Sequence, residues 1–273
     1  MTLKAQTIAV IGAGNIGRAL IGGLVRGGHL PPENIRATRR HSSGLAELES
    51  SFPGVQCGTD NVAAVSGASL VVLAVKPANA RAVVEEIRQS VTSNTLIVSV
   101  LAGPTTETIA KAFGGPLPVV RTMPNTPMLV DQGATAIAGG AHTSDEHLSV
   151  VRRMFEAVGK VEEVPEHLMD AVTGLSGSGP AYVYMIIEAL TDAGVKQGLM
   201  RPIAFRLATQ TVLGASTLVS RTGKHPAILR DEVTTPGGTA MAAIAELESH
   251  GLRTMIIHAV GTATQRSKEL SGA

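Results

Sequence analysis

Residues 7–17 read Thr-Ile-Ala-Val-Ile-Gly-Ala-Gly-Asn-Ile-Gly. An unbroken apolar and β-branched run, Thr7 to Ile11, leads straight into a glycine-rich turn. From Asn15 to Arg26, Ile16, Leu20, Ile21, Leu24 and Val25 recur at helical spacing. Buried strand, G-x-G-x-x-G and helix in that order form the context in which a dinucleotide fingerprint has physical meaning. The first glycine permits the tight turn, the second lets the backbone approach a pyrophosphate, and the third lets the helix sit close on the strand. The helix N-terminus then offers N–H groups and a positive dipole end to the phosphates. Gly12, Gly14, Asn15, Ile16 and Gly17 are therefore candidate cofactor contacts. The alternative is a glycine-rich turn without a ligand.

Working outward, the first half alternates short apolar runs with helical patterns. Strands are expected at Ile35 to Thr38, Gly54 to Cys57, Leu70 to Val75, Thr95 to Val100, Pro118 to Arg121 and Ala134 to Ala138. Helices are expected at Ser43 to Ser50, Ala80 to Ser90 and His147 to Val158. Continuous apolar strands separated by helices predict a Rossmann-type α/β fold, a doubly wound parallel sheet covered on both faces. After about Val164 the strand signal stops. Helices are predicted near 166–175, 179–197, 201–221, 236–249 and 251–268, with Pro180 and Pro236 near helix starts. The expected division is a dinucleotide-binding domain over 1–164 and a helical domain over 165–273.

The end of the second strand addresses which dinucleotide is bound. An NAD site places Asp or Glu there for the ribose 2′-hydroxyl. Here stand Thr38, Arg39, Arg40 and His41. Two guanidiniums and a hydroxyl suit a 2′-phosphate, which predicts NADPH over NADH, with NADH still possible. The competing reading is a solvated basic turn. Ligands of open α/β sheets lie beyond the carboxyl ends of the strands, so Ala74, Val75, Lys76, Ala102, Gly103, Met123 and Asn125 are expected along one crevice. Lys76 is equally readable as a surface charge.

In the second half, Val233-Thr234-Thr235-Pro236-Gly237-Gly238-Thr239 has the makings of an anion cradle. Hydroxyls and backbone N–H groups gather at a helix start, and the glycines admit a carboxylate closely. A capped helix after a loop is the alternative, and Ser178 in SGSGPAY carries the same duality. A hydrolase elbow is rejected, because Gly174-Leu175-Ser176-Gly177-Ser178 lacks the terminal glycine of G-x-S-x-G and opens a helical domain.

Composition narrows the remaining classes. Lys plus Arg total 23 against 22 Asp plus Glu, a balance with no electrostatic footprint for nucleic acid or an anionic membrane. The chain has one cysteine, Cys57, so no intrachain disulfide can form; a reducing cytoplasmic setting is expected. Apolar runs are interrupted by Gly, Pro or charge before they reach a membrane span, and no secretory segment is expected. The eight histidines are scattered without ligand spacing, so no metal is expected.

Several segments together resemble the pyrroline-5-carboxylate reductase family. They are LVVLAVKP (70–77), SVLAGP (99–104), MPNTP (123–127), LSGSGPAYVY (175–184) and DEVTTPGGTAMAAIAELE (231–248), in the family's order across essentially the whole chain. The resemblance implies hydride transfer from NAD(P)H to the C=N carbon of 1-pyrroline-5-carboxylate, giving L-proline. It implies that Lys76 lies near the cofactor and that Asn61 contacts its adenosine side; from its own position Asn61 reads equally well as a helix N-cap. The cyclic imino acid's carboxylate would be held by Ser178, Thr235, Gly237, Gly238 and Thr239. The helical domain would form an interlocked dimer, or a ring of dimers, in which one subunit completes the other's site. The family pattern usually carries Thr where this chain has Ala240, and that Thr is a candidate partner for the ring nitrogen. Thr239 is the candidate to take its place as the catalytic group, the alternative being that the ring nitrogen contacts water. Rival readings are a reductase of another cyclic imine, a 2- or 3-hydroxy-acid reductase, and a non-catalytic NADPH-binding sensor. The hydroxy-acid class usually carries a lysine acid on the first long helix of its second domain. Here the polar residues of helix 179–197 are mainly Glu188, Thr191, Asp192 and Lys196, with Lys196 at the far end, which disfavours that reading.

Overall fold

Along β1 (Ile8–Ile11) successive side chains take opposite faces of the sheet. Ile8 and Val10 enter one apolar core, while Ala9 and Ile11 enter another. All four residues are fully buried. This is why the strand reads as an uninterrupted apolar run rather than as an alternation.

The computed structural model describes residues 3–42 and 44–271. Seven further strands join β1: β2 (Ile35–Thr38), β3 (Gln56–Gly58), β4 (Leu70–Leu73), β5 (Leu96–Ser99), β6 (Val119–Met123), β7 (Gly133–Gly139) and β8 (Gly159–Glu163). Their order is β3-β2-β1-β4-β5-β6-β7-β8. The order reverses at β1, so β2 and β4 flank it on either side, in parallel register. That reversal opens the crevice in which doubly wound sheets hold ligands.

The helices of this half are α1 (Asn15–Arg26), α2 (Leu45–Ser51), α3 (Asn61–Val65), α4 (Pro77–Ile87), α5 (Thr106–Ala112) and α6 (Asp145–Glu156). Leu20 and Leu24 of α1, Leu48 of α2 and Phe155 of α6 fill one face. Ala64 and Val65 of α3, Val84 and Ile87 of α4 and Ile109 of α5 fill the other. Each large side chain buried in this way contributes about 1.5–3 kcal/mol.

The expected doubly wound architecture is present, with departures at its far edge. β7 runs antiparallel to β6. Residues 124–132 between them are too few for the dozen or more that a parallel crossover needs. β8, absent from the sequence reading, pairs in parallel with β7. The expected helix from Ser43 begins at Leu45; Ser43 itself lies outside the described residues.

By spatial contact the chain divides into Met1–Ser178 with Thr262–Ala273, and Gly179–Gly261. This differs from the expected border at 164, for a physical reason. Met169 is fully buried beside Met123, Ala136 and Ala138. Glu166 accepts hydrogen bonds from the Thr106 amide and hydroxyl at 2.7 and 2.8 Å. Residues 166–178 comprise a short helix, α7 (Met169–Val172), and a π-helical turn at Thr173–Gly177 where one continuous helix was expected. Ser267, near the end of the last helix, donates to Asp170 at 2.7 Å.

The second unit contains α8 (Gly179–Lys196), α9 (Arg201–Thr222), α10 (Pro226–Glu232) and α11 (Thr239–Ser249), followed by α12 (Leu252–Ser271), which runs back into the first unit. Pro180 occupies the first turn of α8, as expected. α10 was not anticipated. α11 starts three residues later than expected, at Thr239 rather than Pro236. Residues 235–238 instead form a turn, with Gly238 N–H donating to the Thr235 carbonyl at 2.9 Å and Gly237 at φ +67°. Proline at the second position and a positive-φ glycine at the third are the signature of a type II turn.

α8 and α9 approach closely where Gly194 meets Ala204; a Cβ on Gly194 would lie 3.0 Å from that of Ala204. Ala204 and Ala208 of α9 are buried. Larger apolar side chains on the same two helices, Tyr184, Met185, Phe205, Leu207, Leu213 and Leu218, face outward.

Candidate cofactor site

The turn after β1 is built around backbone that only glycine tolerates at one point. Gly12 has φ +94°, and a Cβ there would lie 2.8 Å from Val75 Cγ1 and 2.9 Å from the Ala74 carbonyl carbon. Gly17 allows α1 to sit on the strand, since its Cβ would lie 2.9 Å from Gly12 O. At Gly14 there is nothing within 4 Å of that position. The three glycines thus divide as their spacing implies: two are required by the protein's own packing, and the middle one faces open space. That open space, bordered by the first-turn amides of Asn15, Ile16 and Gly17, fits a pyrophosphate. The amides of Gly12 and Ala13 both donate to the Thr38 carbonyl, at 3.2 and 2.7 Å, which ties the glycine turn to the end of β2.

Two clefts flank this turn. One, of about 400 Å³, brings together Gly12, Gly14, Arg39, Arg40, Ala74, Val75 and Lys76, with Asn79 at its margin. The other, of about 240 Å³, brings together Gly12, Thr38, Arg40, Asn61 and Val75 with Asn79 and Glu86. Most of the predicted cofactor residues are therefore gathered around one crevice, and Arg40, exposed, lies on both clefts. Lys76 is exposed just before α4, whose first residue is Pro77. The two arginines do not behave alike. Arg39 donates to the Gly44 carbonyl at 3.1 Å and is half-buried, whereas Arg40 is exposed and lines both clefts.

Asn61 is not the cap of α3. That part is taken by Asp60, whose carboxylate accepts from the Ala63 amide at 2.9 Å. Asn61 instead accepts from the Thr38 hydroxyl at 2.7 Å and donates to Glu86 at 2.9 Å. Asn79 and Glu86 were missed in the sequence. They are seven residues apart on one face of α4, a helical repeat that was legible but had no motif to attract notice.

Ala102, Gly103 and Asn125 line neither cleft. Gly103 is buried at φ +108°, and Ala102 packs against the cluster of Met123, Ala136, Ala138 and Met169. Both ends of the Asn125 amide are engaged: it donates to the Ser176 carbonyl at 3.0 Å and accepts from the Ala134 amide at 2.8 Å. Asn125 thereby holds the π-helical turn that ends at Ser178, which is half-buried. A π turn inserted between helical segments frequently marks a functional region.

In the second unit, Thr235, Gly237 and Thr239 are exposed and Gly238 half-buried. Thr234 spends its hydroxyl on the Arg230 carbonyl at 2.7 Å, leaving Thr235 and Thr239 as the outward hydroxyls of this turn. Thr239 is the first residue of α11 and Ala240 the second. Among the described residues, no group of three or more His, Cys, Asp or Glu is gathered as a metal site, and no helix is long and apolar enough to cross a membrane.

A glycine turn at a topological switch point with a basic ribose end defines the class: an NAD(P)-dependent oxidoreductase of Rossmann type. Residues 7–103 accordingly match the family described as NADP oxidoreductase, coenzyme F420-dependent, and residues 166–270 match the pyrroline-5-carboxylate reductase dimerisation family. A pyrroline-5-carboxylate reductase from Methanosarcina acetivorans is 41% identical, over 98% of this chain and 99% of its own. The structure of a pyrroline-5-carboxylate reductase from Coxiella burnetii superposes with a TM-score of 0.91 at 38% identity, covering 97% of this chain and 98% of that one. The Plasmodium falciparum enzyme, solved with NADP bound, gives 0.88 at 28% identity over 98% and 99%. The chain belongs to the pyrroline-5-carboxylate reductase family.

Proposed function

We propose that this protein reduces L-1-pyrroline-5-carboxylate to L-proline with NADPH, the last step of proline biosynthesis. The observation that carries the reading is the crevice itself: a glycine turn with open space at Gly14, and Arg40 and Lys76 lining the same cleft. When bound, NADPH supplies the hydride. The amides at the start of α1 hold its phosphates, and Arg40 neutralises its 2′-phosphate.

The substrate's C=N carbon takes the hydride while the π pair moves to nitrogen. A cyclic imine protonated in water is already a good acceptor, so the protein's main task is orientation, worth several orders of magnitude in rate. Ser178 and the turn at Thr235, Gly237, Gly238 and Thr239 fix the carboxylate in this reading. Thr239 is the candidate hydrogen-bond partner of the ring nitrogen in place of the family's Thr at position 240. In this reading residues 1–164 hold the cofactor and residues 165–273 supply the substrate and dimer contacts, although 166–178 and the end of α12 pack with the first unit.

The outward apolar side chains of α8 and α9 support self-association, since a surface this apolar favours a covering partner. The assembly we favour is a dimer, or a ring of dimers, in which one subunit's helical half completes the other's site, in the cytoplasm.

The test is NADPH oxidation, followed by absorbance, with 1-pyrroline-5-carboxylate as substrate and the six-membered imine and NADH as comparisons. Fast turnover of the five-membered ring is expected. Turnover of only the six-membered ring would move the substrate assignment, and none with either imine would overturn it.

A further inference from the structure

The sequence shows no acid at the end of β2, yet the fold delivers one there from α4. Glu86 lines the same 240 Å³ cleft as Arg40, Thr38 and Asn61. Its carboxylate accepts from Asn61 Nδ2 at 2.9 Å, and Asn61 Oδ1 accepts from the Thr38 hydroxyl at 2.7 Å. A carboxylate can only accept, so it fixes which end of the Asn61 amide faces it. That choice propagates: Oδ1 must face Thr38, and the single hydroxyl hydrogen of Thr38 is spent on it. Thr38 can then accept from a ribose hydroxyl but cannot donate to a phosphate. The sequence reading of Thr38 as a phosphate donor is thereby reversed.

The ribose end of the cleft thus holds charges of both signs. Arg40 attracts a 2′-phosphate. Glu86 repels it, and with Thr38 presents acceptors that suit a free 2′-hydroxyl. The neighbouring Glu85 has the same charge but is paired with Arg88 at 2.9 Å and lines neither cleft.

We propose that Glu86 is a cofactor-specificity residue: it pins the Thr38–Asn61 pair and opposes the 2′-phosphate, holding the preference for NADPH over NADH below what Arg40 alone would set. The proposal rests on the dinucleotide part of the reading above and not on the identity of the imine.

The experiment is fluorescence titration of the full-length protein with NADPH and with NADH, without imine, for wild type, Glu86→Gln, Glu86→Ala and Glu85→Gln. Gln removes the charge but keeps an acceptor for Asn61. Glu86→Gln should tighten NADPH by about three- to tenfold while NADH changes less than about twofold, consistent with unit charges interacting across solvated cleft distances. Glu86→Ala frees the Asn61 amide and should weaken NADH. Glu85→Gln should leave the ratio of the two dissociation constants unchanged. A ratio unmoved in Glu86→Gln, or moved equally in Glu85→Gln, overturns the proposal. Wild-type protein that binds neither cofactor overturns it together with the dinucleotide reading. Binding without imine turnover sinks only the proline assignment and leaves the Glu86 outcome to be read from the titrations.

Discussion

The Arg121 guanidinium on β6 lies 3.9 Å from the carboxylate of Asp170 on α7, and its side chain is 3% exposed. Glu166 stands at the same distance on its other side. Burial pulls the guanidinium below its ordinary value, while Glu166 and Asp170 pull it back up. At 3.9 Å these are charge contacts rather than hydrogen bonds. The carboxylates spend their hydrogen bonds elsewhere, Glu166 on Thr106 and Asp170 on Ser267. Arg121→Met would leave two acids facing each other without their cation. It should cost about 3–5 kcal/mol, the usual penalty for breaking a buried charge cluster on one side. Arg121→Lys should cost less. Urea denaturation reads both, and equal stability of wild type and the Met variant would refute a role for the cluster.

Gly12 and Gly14 should respond differently to the same methyl group. At Gly12 the left-handed backbone and the contact with Ala74 make alanine strained whether or not cofactor is present. Gly12→Ala should lose about 1–3 kcal/mol of stability along with NADPH binding. At Gly14 the methyl meets nothing in the protein. Gly14→Ala should melt within a degree or two of wild type yet bind NADPH at least about tenfold more weakly, ~1.4 kcal/mol. Calorimetric melting and a fluorescence titration separate the two, and undiminished binding by Gly14→Ala would remove the pyrophosphate from that space.

What the sequence disclosed follows from how locally each feature is encoded. β1, the glycine turn and α1 are contiguous, and every residue in them agrees with its neighbours, so they are legible without tertiary information. β8 was hidden because it is an edge strand: of Gly159–Glu163 only Val161 is buried, and its charged neighbours read as loop. At Thr235 two sequence signals compete: Pro236 suits the first turn of a helix, and Pro236-Gly237 suits a type II turn; the positive φ of Gly237 shows that the turn wins. The two arginines were legible as a basic pair, but their separation into a loop-bound Arg39 and an exposed Arg40 depends on where Gly44 returns. The spacing of Glu86 on its helix was legible but its contact with Asn61 was not, because 25 residues separate the two and only the packing of α3 and α4 brings them together.

That difference between the arginines gives a third prediction. Arg40→Ala should weaken NADPH by about tenfold, ~1.4 kcal/mol, and NADH by much less. Arg39→Ala should leave the ratio nearly intact, because its guanidinium already holds the Gly44 carbonyl. Added salt should weaken NADPH more steeply than NADH in wild type, and Arg40→Ala should flatten that difference. Equal effects of the two alanines on the ratio would show that the cleft does not distinguish them.

Cys57 offers a test with a defined pH sign. Burial raises its thiol above the ordinary value, and Glu49 raises it further. The thiolate is the reactive form, so alkylation at pH 8 should be slower than for a free cysteine. Its rate should climb with pH to a midpoint above the ordinary one. The raised folded value means that the neutral thiol favours the folded state. That contribution is complete below the unfolded thiol's pKa and is lost as pH rises through the folded one. Glu49→Gln should move the midpoint down only modestly, since burial is the larger cause. Alkylation of the folded protein across pH 7–10 gives the profile, and a midpoint at or below that of a free cysteine would show that the thiol is not shielded.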